Sequence, residues 1–339
     1  MLPSAPRDND SWDDDVSREI ARSAPGRSSS GFYAGAPEPA SRIGARGGDP
    51  DEDDAEEIEE EIPEVPVRRQ LSVAIAGFAA LLGVGLILGA QTSGPDARLP
   101  YAIVVFGVQL LFILAFTMAI RPPAVGTVAG VCVAAALVAD YLAVNREPAG
   151  IVPLIVVAAA GYAVAVAGQF IRPGDRMHVR DALSGTLLIV VGVVSFAQLI
   201  VLTRKPVGTQ AVLVCLTAVA VSVLVAHLVD AFFPRPRIAP QVPRGASGII
   251  AGAMLGTLAA AALGSVLVLP FTPAKGALLG FVAAGVAMLV DLAVNYSEVG
   301  RRMAGDTPTF WVARHMQGPL GAFALALPGA YVLTAFFLS

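Results

Sequence analysis

From Leu71 to Leu338 the chain alternates apolar runs of roughly 20 residues with short polar breaks, the length an α-helix needs to cross a hydrocarbon core. Nine such runs are predicted: Leu71–Gln91, Tyr101–Ile120, Ala124–Val144, Ile151–Ile171, Ala182–Thr203, Gln210–Phe233, Gly248–Leu269, Gly276–Tyr296 and Pro319–Leu338. Apolar residues go all round each helix instead of forming one stripe, as expected where the surroundings are lipid or other helices. The pattern predicts an all-α integral membrane protein.

The first 66 residues follow a different pattern. They hold 18 Asp and Glu against 6 Lys and Arg, with Trp12, Phe32 and Tyr33 as their few aromatics. Such a segment cannot bury enough surface to offset its ordering entropy, so residues 1–66 are expected to be a disordered acidic tail and 67–339 a polytopic membrane domain. Over the whole chain 55% of residues are hydrophobic and 15% charged, which excludes a water-soluble globule. No secretory signal pattern opens the sequence, so the first apolar helix is expected to do the targeting. Cys132 and Cys215 lie inside apolar runs without metal-ligand spacing and are expected to be small core residues.

Charge sets the expected orientation. With the tail inside, the loops on that side hold 12 Lys and Arg, among them Arg68, Arg69, Arg121, Arg172 and Arg314, against 5 on the other side. Basic loops are retained on the cytoplasmic side, which predicts a plasma-membrane protein with a cytoplasmic N-terminus and Ser339 outside. Gly248, Gly252 and Gly256 in the seventh run and Gly276 and Gly280 in the eighth give GxxxG spacings. These predict close helix packing within the bundle, with oligomerisation as the alternative. No nucleic-acid partner is expected.

An ionisable group at membrane depth is costly, so each is a candidate for function. Asp140 lies near the end of the third run, with only Tyr141 and Arg146 close in sequence, and is expected to serve an interfacial salt bridge. His227 and Asp230, three apart, share a helix face near the end of the sixth run. Asp291 lies near the end of the eighth run, at the same expected depth. Each of these two carboxylates precedes a basic loop: Arg235, Arg237 and Arg244 after one, Arg301 and Arg302 after the other. Carboxylates beside arginines can hold a divalent cation and a phosphate together, or simply pair as ions. The stretch Ser297 to Gly318 reads as the longest loop, with Phe310, Trp311, Arg314 and Met316 suited to an interface and His315 able to exchange a proton.

At these two loops the sequence resembles the phosphatidate cytidylyltransferase (CDP-diacylglycerol synthase) family, nine-span enzymes that join CTP to phosphatidic acid with divalent metal. Asp230, Arg235, Arg237, Pro240, Pro243, Arg244, Gly248 and Gly252 follow the order of that family's helix-ending Asp, basic Pro-containing loop and Gly-rich helix. Its closing signature matches in one of two registers: Ser297, Val299, Arg301 and His315 without gaps, or Asp291-Leu292, Arg301-Arg302 and Asp306 with small gaps. The resemblance implies Mg²⁺ at Asp230, Asp291 and Asp306, phosphate contacts from Arg235, Arg237, Arg244, Arg301 and Arg302, and a catalytic role for His315.

The sequence departs from that family where phosphates are held. The family's Pro-Lys-Lys-Thr-x-Glu-Gly appears here as Pro243-Arg244-Gly245-Ala246-Ser247-Gly248, and its His-Gly-Gly as His315-Met316-Gln317. Phosphoryl-type transfer depends on metal and cationic groups placed around the phosphates. The expectation is therefore a divergent member that binds lipid phosphate or nucleotide weakly, or is a non-catalytic membrane partner. The alternatives are an active CTP-dependent liponucleotide synthase acting on phosphatidic acid, and a transporter-like protein with Asp140, His227 and Asp230 along a polar path.

Overall fold

The computed structural model describes residues 67–92, 98–122, 124–171, 179–305 and 310–338. The acidic tail, the Arg172 and Arg176 loop, Asp306 and Ser339 lie outside the described residues. Nine long apolar helices are found among the described residues: α1 (Arg69–Thr92), α2 (Arg98–Ile120), α3 (Val125–Asn145), α4 (Val152–Ile171), α5 (Val179–Thr203), α6 (Gly208–Phe232), α7 (Ala246–Val266), α8 (Pro273–Met303) and α9 (Trp311–Leu333). A short π-helical turn, Thr334–Leu338, follows α9. The protein is a multi-pass helical membrane protein. Large apolar side chains such as Leu81, Ile103, Val152 and Phe281 point outward, as they do where the surrounding solvent is lipid.

Helix α5 is the most enclosed element, with Ile189, Val190, Val193, Phe196 and Leu199 fully buried. Phe112 of α2 stacks on Phe116 at 4.2 Å between ring centroids and meets Phe196 of α5 edge-on at 5.8 Å. Aromatic pairs in these geometries add about 0.5–1.5 kcal/mol to their area burial. Glycines set the spacing of α6, α7 and α8. A Cβ on Gly252 would stand 2.5 Å from the Ser222 carbonyl oxygen of α6, and one on Gly264 would stand 3.2 Å from the Gly276 Cα of α8. The helix backbones therefore touch directly, the packing role expected of the GxxxG spacings.

The loop expected from Ser297 to Gly318 is mostly helix. Helix α8 begins at Pro273, where the Thr272 hydroxyl accepts from the Lys275 N–H at 3.3 Å, and continues to Met303. Arg301 and Arg302 stand in its last turn, where cations favour a helix C-terminus, and Gly305 with φ +78° ends it. Helix α9 starts at Trp311, eight residues before the expected start, and runs through Pro319. Charged residues masked these two helix ends in the hydrophobic pattern, because ion pairs on the helix surface compensate them there.

Candidate functional site

Helix α6 carries His227 and Asp230 on one face, and Asp291 faces them from α8. Into the space between them comes Arg244, from the loop joining α6 to α7. An isolated β-bridge between Arg237 and Gly245 fastens that loop, with Ile238 N–H donating to the Arg244 carbonyl at 3.3 Å and Ala246 N–H to Pro236 at 2.9 Å. The fastened loop turns the Arg244 side chain inward, where only 2% of it is exposed.

The guanidinium bridges both carboxylates: Nη1 lies 2.7 Å from Asp230 Oδ2 and Nη2 lies 2.6 Å from Asp291 Oδ2. Nη1 also lies 3.0 Å from His227 Nδ1, and His227 Nε2 lies 3.4 Å from Asp291 Oδ1. A guanidinium only donates, so His227 Nδ1 accepts and the imidazole proton sits on Nε2, facing the carboxylate. The Gly245 N–H donates to Asp230 Oδ1 at 3.0 Å. Gly248 and Gly318 leave the room: a Cβ on either would collide with Asp230 Oδ1 or Asp291 Oδ1 respectively.

The structure thus brings Asp230 and Asp291 together, but across a guanidinium. The Mg²⁺ implied by the family resemblance does not fit this pair as placed, because one oxygen of each carboxylate is already held by a fixed cation. No group of three or more His, Cys, Asp or Glu suited to a metal occurs among the described residues. Arg244, expected at phosphate, is an internal counter-ion.

The other expected phosphate ligands are spread out. Arg235 is exposed on the α6–α7 loop and Arg237 is half-buried there. Arg301 donates to the Ala119 carbonyl at 2.6 Å and pairs with Glu298 at 3.3 Å; Arg302 pairs with Glu298 at 3.0 Å. Arg314 of α9 reaches the same carboxylate at 3.1 Å. Three arginines therefore share Glu298, a residue whose part the sequence pattern did not disclose. Beside them His315 packs edge-on against Trp311 at 5.0 Å, its Nε2 buried without a hydrogen-bond partner, and Arg68, Arg302, Arg314 and His227 all act electrostatically on its ring. Phe310 and Trp311 are exposed next to this cluster.

Asp140 is buried in α3 and has no arginine partner of the kind expected. It accepts from Gln109 Nε2 of α2 at 3.0 Å. Arg204 and Arg98, at the neighbouring end of the bundle, instead hold the Ala143 and Val144 carbonyls at 2.7 and 3.4 Å and both pair with Glu147. Comparison with protein-family models, with curated proteins and with solved structures finds no match for this chain.

Proposed function

We propose that this chain is a membrane-embedded binder of phosphate headgroups that does not transfer nucleotides, in keeping with the divergent cytidylyltransferase-like reading of its sequence. The observation that carries the proposal is the gathering of Arg301, Arg302 and Arg314 on the single carboxylate of Glu298. His315 stands beside them, and Phe310 and Trp311 are exposed at the same helix ends. Three guanidinium groups against one carboxylate leave positive charge and donors in excess, the complement of a phosphate monoester. Exposed aromatics suit headgroup depth. The occupied space between Asp230 and Asp291 supports the non-catalytic half of the reading.

The test uses the full chain in nanodiscs. Phosphatidic acid is expected to raise its melting temperature above the value in phosphatidylcholine, through preferential binding to the folded state. Arg302→Ala combined with Arg314→Ala is expected to remove that difference. Incubation with CTP, Mg²⁺ and phosphatidic acid is expected to give no CDP-diacylglycerol. Formation of that product would establish the liponucleotide synthase instead, and equal melting in both lipids would end the phosphate reading.

A further inference from the structure

A second buried polar group lies away from the arginine-rich end. Gln109 is the middle residue of α2, with 11 helical residues on either side, which puts it about 16 Å from each helix end at 1.5 Å per residue. That is the centre of a span crossing about 30 Å of hydrocarbon. Its side chain is fully buried, and its Nε2 donates both to Asp140 Oδ1 at 3.0 Å and to the Val193 carbonyl of α5 at 3.1 Å. Both N–H groups of the amide are thereby used. Two oxygens of the pair, Gln109 Oε1 and Asp140 Oδ2, are buried with no hydrogen-bond partner.

Both remaining oxygens are acceptors when Asp140 is ionised, and among the described residues neither has a donor within hydrogen-bonding distance. The helices packed on α3 are α2, α4 and α5. Helix α4 contains no Asp, Glu, Lys, Arg or His. The only charged residue of α2 is Arg98, at its first position, where it meets the Val144 carbonyl and Glu147. On α5 the charged residues Arg180 and Asp181 stand in the first turn, 12 or more residues before Val193, and Arg204 just beyond its end holds the Ala143 carbonyl and Glu147. An ionised carboxylate met by one neutral donor is strongly disfavoured in such surroundings. A proton on Asp140 Oδ2 removes the charge and creates the missing donor. The Gln109 amide that donates to Oδ1 carries its own unpartnered acceptor, so amide and carboxylic acid are matched in donors and acceptors.

We propose that Asp140 is a reversible proton-binding site at the core of the bundle, with Gln109 as its positioning residue. The proton comes from hydronium: an O–H bond forms at Asp140 Oδ2, one O–H bond of hydronium breaks and water is released, with no change of oxidation state. The ligand is H⁺ rather than a metal ion, because a hard cation takes several oxygen ligands and this pair offers two unpartnered ones. This site is independent of the phosphate reading, so either can fail alone.

Infrared difference spectra of the full chain in liposomes test the proposal. A carboxylic-acid carbonyl band is expected at neutral pH, absent in Asp140→Asn and shifted in Gln109→Leu. Melting of the wild type is expected to fall as pH rises, because the fold holds a proton that the unfolded chain releases, and Asp140→Asn is expected to lose that portion of the fall. If Asp140→Asn does not assemble, the Gln109→Leu shift decides, and a band indifferent to Gln109 overturns the proposal. So does an Asp140→Asn variant that keeps the whole band and the whole pH dependence. Stabilisation of the wild type by Na⁺ over choline, lost in Asp140→Asn, would assign a metal cation and overturn it as well.

Discussion

Two buried aspartate sites in one bundle are balanced by different means. Beside the end of α6 and the middle stretch of α8, Asp230 and Asp291 share a guanidinium, an imidazole and a backbone N–H. Asp140, five residues before the end of α3 and bonded to the middle residue of α2, has one neutral amide. The difference follows from what can reach each place. A loop can fold a charged side chain back over a helix end, as the Arg237–Gly245 bridge does for Arg244. At the centre of α2 only side chains of neighbouring helices are available, and those here are nearly all apolar. A carboxylate within reach of a folded-back loop can therefore remain charged by recruiting an opposite charge, while one reached only by neighbouring helices is left to a neutral partner and a proton.

The sharpest way to break this contrast is to remove the recruited charge. Arg244→Met is expected to destabilise the fold by about 3–5 kcal/mol, the cost of stranding buried charges by deleting their partner. It would show as loss of monodisperse protein in detergent. Adding Asp230→Asn and Asp291→Asn to that variant is expected to restore much of the loss, since the stranded charges disappear with it. Mg²⁺ is expected to leave wild-type melting unchanged. A single variant that melts like the wild type would mean that the three groups do not depend on one another.

The glycines beside the carboxylates sharpen the comparison at a smaller scale. Gly248→Ala would push its Cβ against Asp230 Oδ1 and to 2.8 Å from the Ala226 carbonyl oxygen, with backbone on one side and, on the other, a carboxylate held by Arg244 and the Gly245 N–H. Overpacking of this kind costs about 1–3 kcal/mol. Gly107 on α2, by contrast, has nothing within 4 Å of its Cβ position, so Gly107→Ala is expected to be neutral or slightly stabilising through helix propensity. Equal melting of the two variants would show that the α6–α7 approach relaxes freely.

The nine apolar runs were legible in the sequence, though not the full lengths of α8 and α9, and Asp230 and Asp291 were readable as a pair because both come before clusters of arginine. The part played by Arg244 was not. It stands 14 residues after Asp230 in a loop, and no periodicity relates the two until the chain folds back through the Arg237–Gly245 bridge. Asp140 was readable as a candidate, but its partner was sought among near neighbours such as Arg146, whereas Gln109 lies 31 residues away on another helix. A neutral amide adds no charge signal. The available sign was a lone amide at the centre of a 23-residue helix whose one charged residue is at its first position. Glu298 was hidden for the opposite reason: it sat in what read as a polar loop, and only the continuation of α8 makes Arg301 and Arg302 its i+3 and i+4 neighbours.

A modest expected loss of stability accompanies the change that joins the arginine-rich end to its proposed ligand. Glu298→Gln removes the carboxylate shared by Arg301, Arg302 and Arg314 but keeps the side chain's size. The Arg301 and Arg302 ends of these pairs lie toward the surface, where a pair contributes about 0–1 kcal/mol, and although the Arg314 pair is more enclosed, the expected fall in melting is modest. Binding of phosphatidic acid should strengthen, because the competing anion is gone and the same donors turn to the headgroup phosphate. That gain should shrink at high salt, since exposed charges are screened within about 10 Å at 0.1 M. Nanodisc melting with and without phosphatidic acid, at low and high salt, reads all three effects. A large loss of stability together with a weaker lipid response would make Glu298 a structural tie between α8 and α9. The arginines around it would then be helix-end ion pairs, like those around Glu147 at the α2 and α3 ends, and not a seat for phosphate.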